Sequence, residues 1–403
     1  MKEAPASWYD FLIYMFSYRN KILLRLSFLV FFCFFLGCKN AVESEDCAGV
    51  EGGENVCGCT DILAINYDST ATYDDNSCEM DTLQKILFFR YNSDASANES
   101  AENLHIINIK GENERLLTSA NIYHDRIPVV TSDGLKIIFP DSIFSMFSID
   151  YDGLNRKKIY NNDVRIRGMD ISQNDSLIVF SAGYDIIKMN LDGSNPVTLT
   201  SGEFDKFPKF SPDGSSIVFE RSHNLGSSIY VMNISGDDLQ CITCDQPFRH
   251  GGMENKHPNF SPDGNMIVFV SNLYSQVGWA NYWLEEIFIR DSNGENEQRL
   301  TFSSAQPSGE QERSFPHFSN DGSIIFFGTG GSGNNDDRST QLIDLNGNLI
   351  LKIWAYEGSA SINQDNTLLT ITDSGIIKII DIIAETSTEI ASGQYPIFIP
   401  KSE

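Results

Sequence analysis

The sequence predicts an all-β fold, a seven-bladed β-propeller, from three observations. One strand–turn–strand phrase recurs along most of the chain, a second turn follows nearly every copy, and the two chain ends carry complementary fragments of the same unit. The phrase is plainest as "FPKFSPDGSSIVFE" at 207–220 and "HPNFSPDGNMIVFV" at 257–270. In Ser211-Pro212-Asp213-Gly214, proline presets φ for a type I turn, aspartate bonds its own backbone and glycine takes the left-handed position. Ile217, Val218 and Phe219 are β-branched or aromatic, and Pro208 reads as lying near a strand start, where a missing N–H is tolerated.

The same frame begins at residues 131, 172, 211, 261, 319 and 363, with spacings of 41, 39, 50, 58 and 44 residues. Periods of roughly 40 to 50 residues with about four strands each are those of propeller blades. A second turn follows at Gly111, Gly153, Gly193, Gly236, Gly294 and Gly347. The unit after Asn363 has Ala384-Glu385 there instead, which predicts a longer or irregular turn. "YPIFIP" at 395–400 matches "FPKFSP" but has no second strand after it, while "KILFFRY", "LHIINIK" and "NERLLTS" between Lys85 and Ser119 have no first strand before them. The C-terminal strand should therefore complete the first blade and remove an open edge. Six frames plus this composite make seven blades; six would follow if the unit at Ile127 packs differently.

"FSPDGSSIVF" with "IYVMNISGDDLQCIT" resembles the TolB-like, WD-type propeller repeats of bacterial envelope proteins and of prolyl oligopeptidase relatives. The resemblance covers about residues 84–400, strongest in the units starting at Phe207 and His257. It implies a fold and leaves function open, because this architecture hosts binding platforms and enzymes alike.

Lys+Arg 29 against Asp+Glu 55 gives a formal charge of -26. Such a surface repels phosphates and anionic headgroups, so nucleic-acid binding is not expected. At the N-terminus, Arg19, Lys21 and Arg25 precede "LSFLVFFCFFLGC", whose apolar run is shorter than the roughly 20 residues of a membrane-spanning helix. Residues 1–37 read as a signal peptide, with Met15 as an alternative start. Phe35-Leu36-Gly37-Cys38 resembles a bacterial lipoprotein signal, although Phe35 departs from the usual leucine. The resemblance implies an acylated Cys38 and membrane attachment through the lipid. An ordinary secreted protein or an N-terminal anchor helix are the alternatives. Residues 38–56 are acidic and aperiodic and read as a tether. Lys39 with Glu43, Glu45 and Asp46 is faintly like the export signal of Bacteroidetes surface lipoproteins, so either side of the outer membrane is open.

Cys47, Cys57, Cys59 and Cys78 in an exported chain imply two disulfides with three possible connectivities, in a module over 57–80. "GCTDILAINYDSTATYDDNSCE" resembles a short module of exported Bacteroidetes proteins, which implies a Cys59–Cys78 bridge. Asp61, Asp68, Asp74 and Asp75 could gather round Ca²⁺, or serve as turn residues; no other cofactor is expected. Cys241 and Cys244 end an outer strand and read as a structural disulfide, with a redox or metal role as the alternative.

No Gly-x-Ser-x-Gly elbow is present and no room remains for a hydrolase domain after the repeats. His250, His257 and His317, with Glu254, Glu310 and Glu312, fall in the loops leading into the predicted first strands, and those loops should crowd one channel mouth. Histidines so placed resemble those holding a metal in oligogalacturonate lyase. Against this, His257 occupies the repeat position of Phe207 and His317 that of Lys209. The insertion "NLYSQVGWANYWLEE" brings Trp279, Tyr282 and Trp283, residue types used in recognising proteins or carbohydrates, though they could equally cap a widened blade. The reading is a non-catalytic, envelope-anchored platform for envelope proteins, with a glycan-binding or metal-dependent polysaccharide-active propeller as the alternative.

Overall fold

The computed structural model describes residues 45–61, 64–91, 102–120, 127–141, 144–224, 226–246, 253–273, 284–302, 312–330, 338–354 and 357–401. The signal segment, Cys38, His250, Trp279, Tyr282, Trp283 and Glu310 lie outside them. The chain divides into two compact units, Met1–Asp81 and Thr82–Glu403.

Among its described residues the first unit has little apolar interior, with Cys59 and Ala64 its buried hydrophobic residues. Disulfides Cys47–Cys57 and Cys59–Cys78 bridge Cα atoms 5.9 and 4.7 Å apart. They flank a short parallel pairing of Cys57–Gly58 with Tyr73–Asp74. A module this small is held by cross-links where a larger domain would use its core.

The second unit is all-β among the described residues, and its sheets follow one another in the arrangement of a β-propeller. Unit A joins Lys85–Tyr91, Glu102–Asn108 and Arg115–Ala120 to the last strand, Gln394–Phe398. Unit B runs from Val129 to Asn161 and unit C from Ile166 to Thr198. Unit D runs from Phe204 to Cys241 and unit E from Met253 to Arg299. These two form one eight-stranded sheet, because Gly226 and Ser227 pair in parallel with Met253 and Glu254. Unit F spans Glu312–Trp354 and unit G Glu357–Ser392. First strands touch one another at the B–C, C–D, D–E, E–F and G–A junctions, and the fourth strand of each unit pairs only with the third, so the first lies innermost.

Within every unit successive strands are antiparallel. Turns joining strands one to two and three to four therefore lie on one face, the turn face. Connections from strand two to three, and from one unit to the next, lie on the opposite loop face.

The Ile-Val-Phe runs of the repeat make the core. Phe88, Phe139, Phe180, Phe219, Phe269 and Phe327, all on second or equivalent strands, are fully buried. Each of the apolar clusters is shared by consecutive units: Val179 and Ile186 of C meet Phe210, Ile217 and Phe219 of D. Val218 and Ile229 of D meet Phe260, Ile267 and Phe269 of E. Ile377 and Ile379 of G meet Ile86, Phe88, Ile107 and Phe398 of A, which closes the ring. Burying one such phenyl ring contributes about 1.5–3 kcal/mol.

The turns of the repeat are built as their composition requires. In Ser211–Gly214 the Gly214 N–H donates to the Ser211 carbonyl (2.8 Å), Asp213 accepts from Ser211 Oγ and Ser215 N, and Gly214 has φ 71°. The turn at Ala384-Glu385 is not long. Four residues separate Asp381 from Thr386, against six between Asp291 and Gln298. Asp381 Oδ1 accepts the Ile383 and Ala384 amides, and Glu385 adopts φ 54° in place of the expected glycine.

Adjacent first turns also contact one another in two ways. Where the second residue of a turn is proline, the fourth residue of the next turn is glycine: a Cβ on Gly264 would sit 3.5 Å from Pro212, and one on Gly322 3.5 Å from Pro262. Where that second residue has an N–H, the next turn supplies an acceptor. Ser132 N donates to Asp175 (2.9 and 3.0 Å) and Asn320 N to Asn366 Oδ1 (2.9 Å), with Asp175 and Asn366 at φ 54° and 61°. Gln173 followed by Gly214 is the exception. The left-handed strain on an Asp or Asn is thus offset by satisfying an amide that proline lacks. Asp175→Gly should cost about 1 kcal/mol in urea unfolding. Combining it with Ser132→Pro should cost less than the two single changes summed, since the pair then copies the Pro212–Gly264 contact. Simple additivity would contradict this coupling.

Candidate functional site

The aromatic-proline pairs of the repeat do not start strands; they break them in the middle. Phe207-Pro208, His257-Pro258 and Phe315-Pro316 each stand as two residues against one on the second strand, as does Tyr395-Pro396. The opposing residues are Phe219, Phe269, Phe327 and Phe88, four of the buried core rings. Proline fits because a bulged position needs no ladder hydrogen bond. The residue before it takes a left-handed φ: 55° at Phe207, 51° at His257, 47° at Phe315 and 52° at Tyr395. Unit C meets the same demand with Gly168, at φ 56°. Left-handed conformations at bulky residues are strained and persist only where surrounding packing enforces them.

What the strain accomplishes is a ring cluster on the inner strands of D, E and F. The His257 and Phe315 rings stack with centroids 4.1 Å apart, and Phe207 meets them edge-on at 5.1 and 6.0 Å. A Cβ on Gly168 would fall 2.9 Å from Phe207 Cα, so unit C must keep a glycine for Phe207 to reach this place.

His257 and His317 are therefore parts of inner strands rather than of the loops before them, and both behave as aromatic rings. His257 Nδ1 accepts the Phe315 amide (3.5 Å); His317 Nδ1 contacts Asn259 Nδ2, and its ring stacks on Phe326. Burial, with Lys256 and Lys206 near the ring, pushes His257 down to about 3. Burial beside Lys209 pushes His317 down to about 3. Both are neutral at neutral pH.

Around the rings, charged groups pair between strands and units. Lys206 Nζ meets the buried Glu220 at 2.9 Å, and burial pushes the Glu220 carboxyl up despite that ammonium. Burial pulls Lys256 down, but Glu285 at 2.6 Å and Glu254 at 2.7 Å outweigh it and hold it above the ordinary lysine range. Glu286 pairs with Arg299 at 3.0 Å and Arg313 at 3.2 Å. Of these pairs Glu286–Arg313 joins two units, E and F, and removing one member of it would leave a buried charge.

The loop face carries exposed aromatic side chains from several units. Tyr184 (62% exposed) lies between the second and third strands of C, Phe302 (72%) follows the last strand of E, and Trp354 (56%) ends that of F. Phe144 of B is exposed on the same face. The exposed apolar residues of the turn face, Leu135, Leu154, Leu239 and Ile383, are aliphatic.

Other residues singled out in the sequence are not brought together. Asp68 accepts the Thr70 amide and hydroxyl, Asp74 the Asn76 amide and Asp75 the Ser77 amide, each within its own turn. No metal-holding group of His, Cys, Asp or Glu occurs among the described residues, Asp61 included. Cys241 and Cys244 form a disulfide, with Cα atoms 5.6 Å apart. Sequence reasoning missed the ring cluster; its signal was the aromatic residue before each mid-strand proline.

No family model and no curated protein matches the chain. Among solved structures, an oligogalacturonate lyase in complex with manganese aligns with TM-score 0.53 at 12% identity, covering 77% of this chain and 86% of that one. A periplasmic gluconolactonase from Pseudomonas aeruginosa aligns with TM-score 0.53 at 13% identity, over 79% and 99% of the two chains. The chain shares their fold. A TolB from Acinetobacter baumannii aligns more loosely, with TM-score 0.46 at 17% identity over 78% and 82%.

The histidine environments set a pH dependence. Each folded imidazole lies below its unfolded value of about 6.5, so the unfolded chain binds more protons between roughly pH 3 and 6.5. Stability is full above that window and falls on acidification, by up to about 1.4 kcal/mol per pH unit for each histidine. His257→Phe, copying Phe207 and Phe315, should make the fall between pH 6 and 4 shallower by that amount in urea titrations; parallel curves for both proteins would contradict the assignment.

Proposed function

We propose that this chain is an envelope lipoprotein whose propeller is a non-catalytic docking platform for another envelope protein. In this reading Cys38 carries the lipid and 84–400 is the propeller, and the Cys47–Cys57 bridge moves the expected boundary at 56/57, so that the stapled module begins by residue 45 and the tether is shortened to 38–44. The propeller has seven blades, the eight-stranded sheet counting as two: Val218 and Ile229 share an apolar cluster with Phe260, Ile267 and Phe269 of its other half, as residues of separate sheets do elsewhere. The observation that carries the reading is the loop face, where Phe144, Tyr184, Phe302 and Trp354 stand exposed in different units. Aromatic side chains are the anchors of protein interfaces, and a closed ring presents them without a cost of ordering.

The alternative, a metal-dependent polysaccharide-active propeller, draws on the lyase likeness, which extends to the fold alone. It would need His257 and His317 as ligands. Their Nδ1 atoms are engaged by Phe315 N and Asn259, and their rings are packed against Phe315 and Phe326. The docking reading requires no metal or other cofactor.

The test is cross-linking in the native cells followed by recovery of the lipidated chain. An envelope protein should be recovered in stoichiometric amount. Tyr184→Ala, Phe302→Ala or Trp354→Ala should weaken its binding tenfold or more, about 1.4 kcal/mol each. Leu154→Ser and Ile383→Ser on the turn face should leave it unchanged. Recovery of the chain alone, or equal sensitivity of both faces, would overturn the proposal.

A further inference from the structure

The outer strands of units C, D and E end alike. Leu199-Thr200, Ile242-Thr243 and Leu300-Thr301 each place an apolar residue against or into the interior and a threonine Oγ1 as acceptor. The donors are the amides of Ile186 (2.9 Å), Ile229 (3.0 Å) and Ile287 (2.9 Å). Thr198 and Ser201 flank the pair in C, and Arg299 and Phe302 flank it in E; in D the flanking residues are the disulfide-bonded Cys241 and Cys244. The strand end is therefore built twice without a cross-link, and the disulfide of D serves something beyond it.

Immediately after Cys244 the chain forms a clamp across the D–E junction. Asp245 takes both Arg290 Nη atoms (2.8 and 3.1 Å), on a guanidinium that is otherwise buried. Gln246 donates to Glu297 (2.6 Å) and accepts from Asn255 Nδ2 (3.0 Å). Asn255, fully buried, also donates to the Ser227 carbonyl and accepts from Ser227 Oγ through its own backbone carbonyl. Ser227 and Gly226 are the residues that pair in parallel with Glu254 and Met253 and so fuse these two units into one sheet. Cys244 is exposed at the root of this clamp, with its sulfur 3.6 Å from Tyr230 Oη.

The geometry points to Cys241–Cys244 as a thiol–disulfide exchange site, a latch that a dithiol reductant opens to loosen the junction of D and E. A thiolate of the dithiol attacks the exposed Cys244 sulfur, forming a mixed disulfide and expelling Cys241 as a thiolate that takes a proton. The second thiol of the reductant then attacks its own sulfur in that mixed disulfide and releases Cys244. Two electrons and two protons pass to the protein, and the reductant leaves as a disulfide. Exposed disulfides closing short loops are the ones open to such exchange, while the core clusters on either side keep the propeller folded.

The test uses the full chain under native conditions with dithiothreitol, followed by alkylation, peptide mapping and hydrogen–deuterium exchange. Cys241 and Cys244 should be labelled while the propeller retains its thermal transition, and the amides of Gly226–Ile229 and Asn255 should exchange at least tenfold faster. Cys241→Thr with Cys244→Ser, which copies unit C, should fold and show the fast exchange without reductant. Asp245→Asn should speed the same amides with its disulfide intact. Labelling only on global unfolding, or reduced and Asp245→Asn chains with unchanged exchange at the junction, would overturn the latch.

Discussion

Everything in the propeller depends on one pairing between distant parts of the chain, that of Gln394–Phe398 with Lys85–Tyr91. Ile86 faces Phe398 and Leu87 faces Ile397 in this ladder, and Phe398 enters the apolar cluster shared with unit G. Without it, unit A loses its innermost strand and G its neighbour. The ring then opens with the inner edge of Lys85–Tyr91 unpaired, an exposed edge of the kind that folded proteins avoid, and with the apolar cluster between G and A incomplete. Each other interface joins units adjacent in sequence and forms locally, so this closure converts a row of like interfaces into a rigid body.

Closure also explains where the chain tolerates strain. The innermost strands converge, and extra residues at their middles must go inward. The bulges at Phe207, His257, Phe315 and Tyr395 put aromatic side chains there in left-handed conformations, each set across from a buried phenylalanine of the second strand. Units D, E and F then stack His257 on Phe315 with Phe207 edge-on to both, and Lys206, Lys256 and Arg313 of the same strands form ion pairs. The inner strands of these units thus carry both a ring cluster and cross-strand ion pairs.

The repeat, its turns and the C-terminal closure are legible in the sequence because they rest on local chemistry: Asp-Gly turns, β-branched runs and a matching fragment at each end. The turn at Ala384-Glu385 is not, because Asp381 caps it and Glu385 accepts a left-handed φ that sequence alone assigns to glycine. The histidines look like loop residues because proline in a strand suggests an end. Only the register shows that a bulge lets Pro258 and Pro316 sit mid-strand. The carboxylates of the small module invite a cation because their spacing is dense, yet Asp68, Asp74 and Asp75 are each spent on the turn that contains them. The face carrying Tyr184, Phe302 and Trp354 is hidden from sequence reading, since these residues are far apart along the chain and share a side only once strand direction is known.

Removing the closing strand tests the account most directly. A chain ending at Ser392 should lose the single cooperative thermal transition of the propeller and expose Ile86, Phe88 and Ile377 to solvent, seen as rapid deuterium exchange in Lys85–Tyr91 and Ile376–Asp381. An unchanged transition, with those strands still protected, would contradict the claim that the ring is held shut by its two ends.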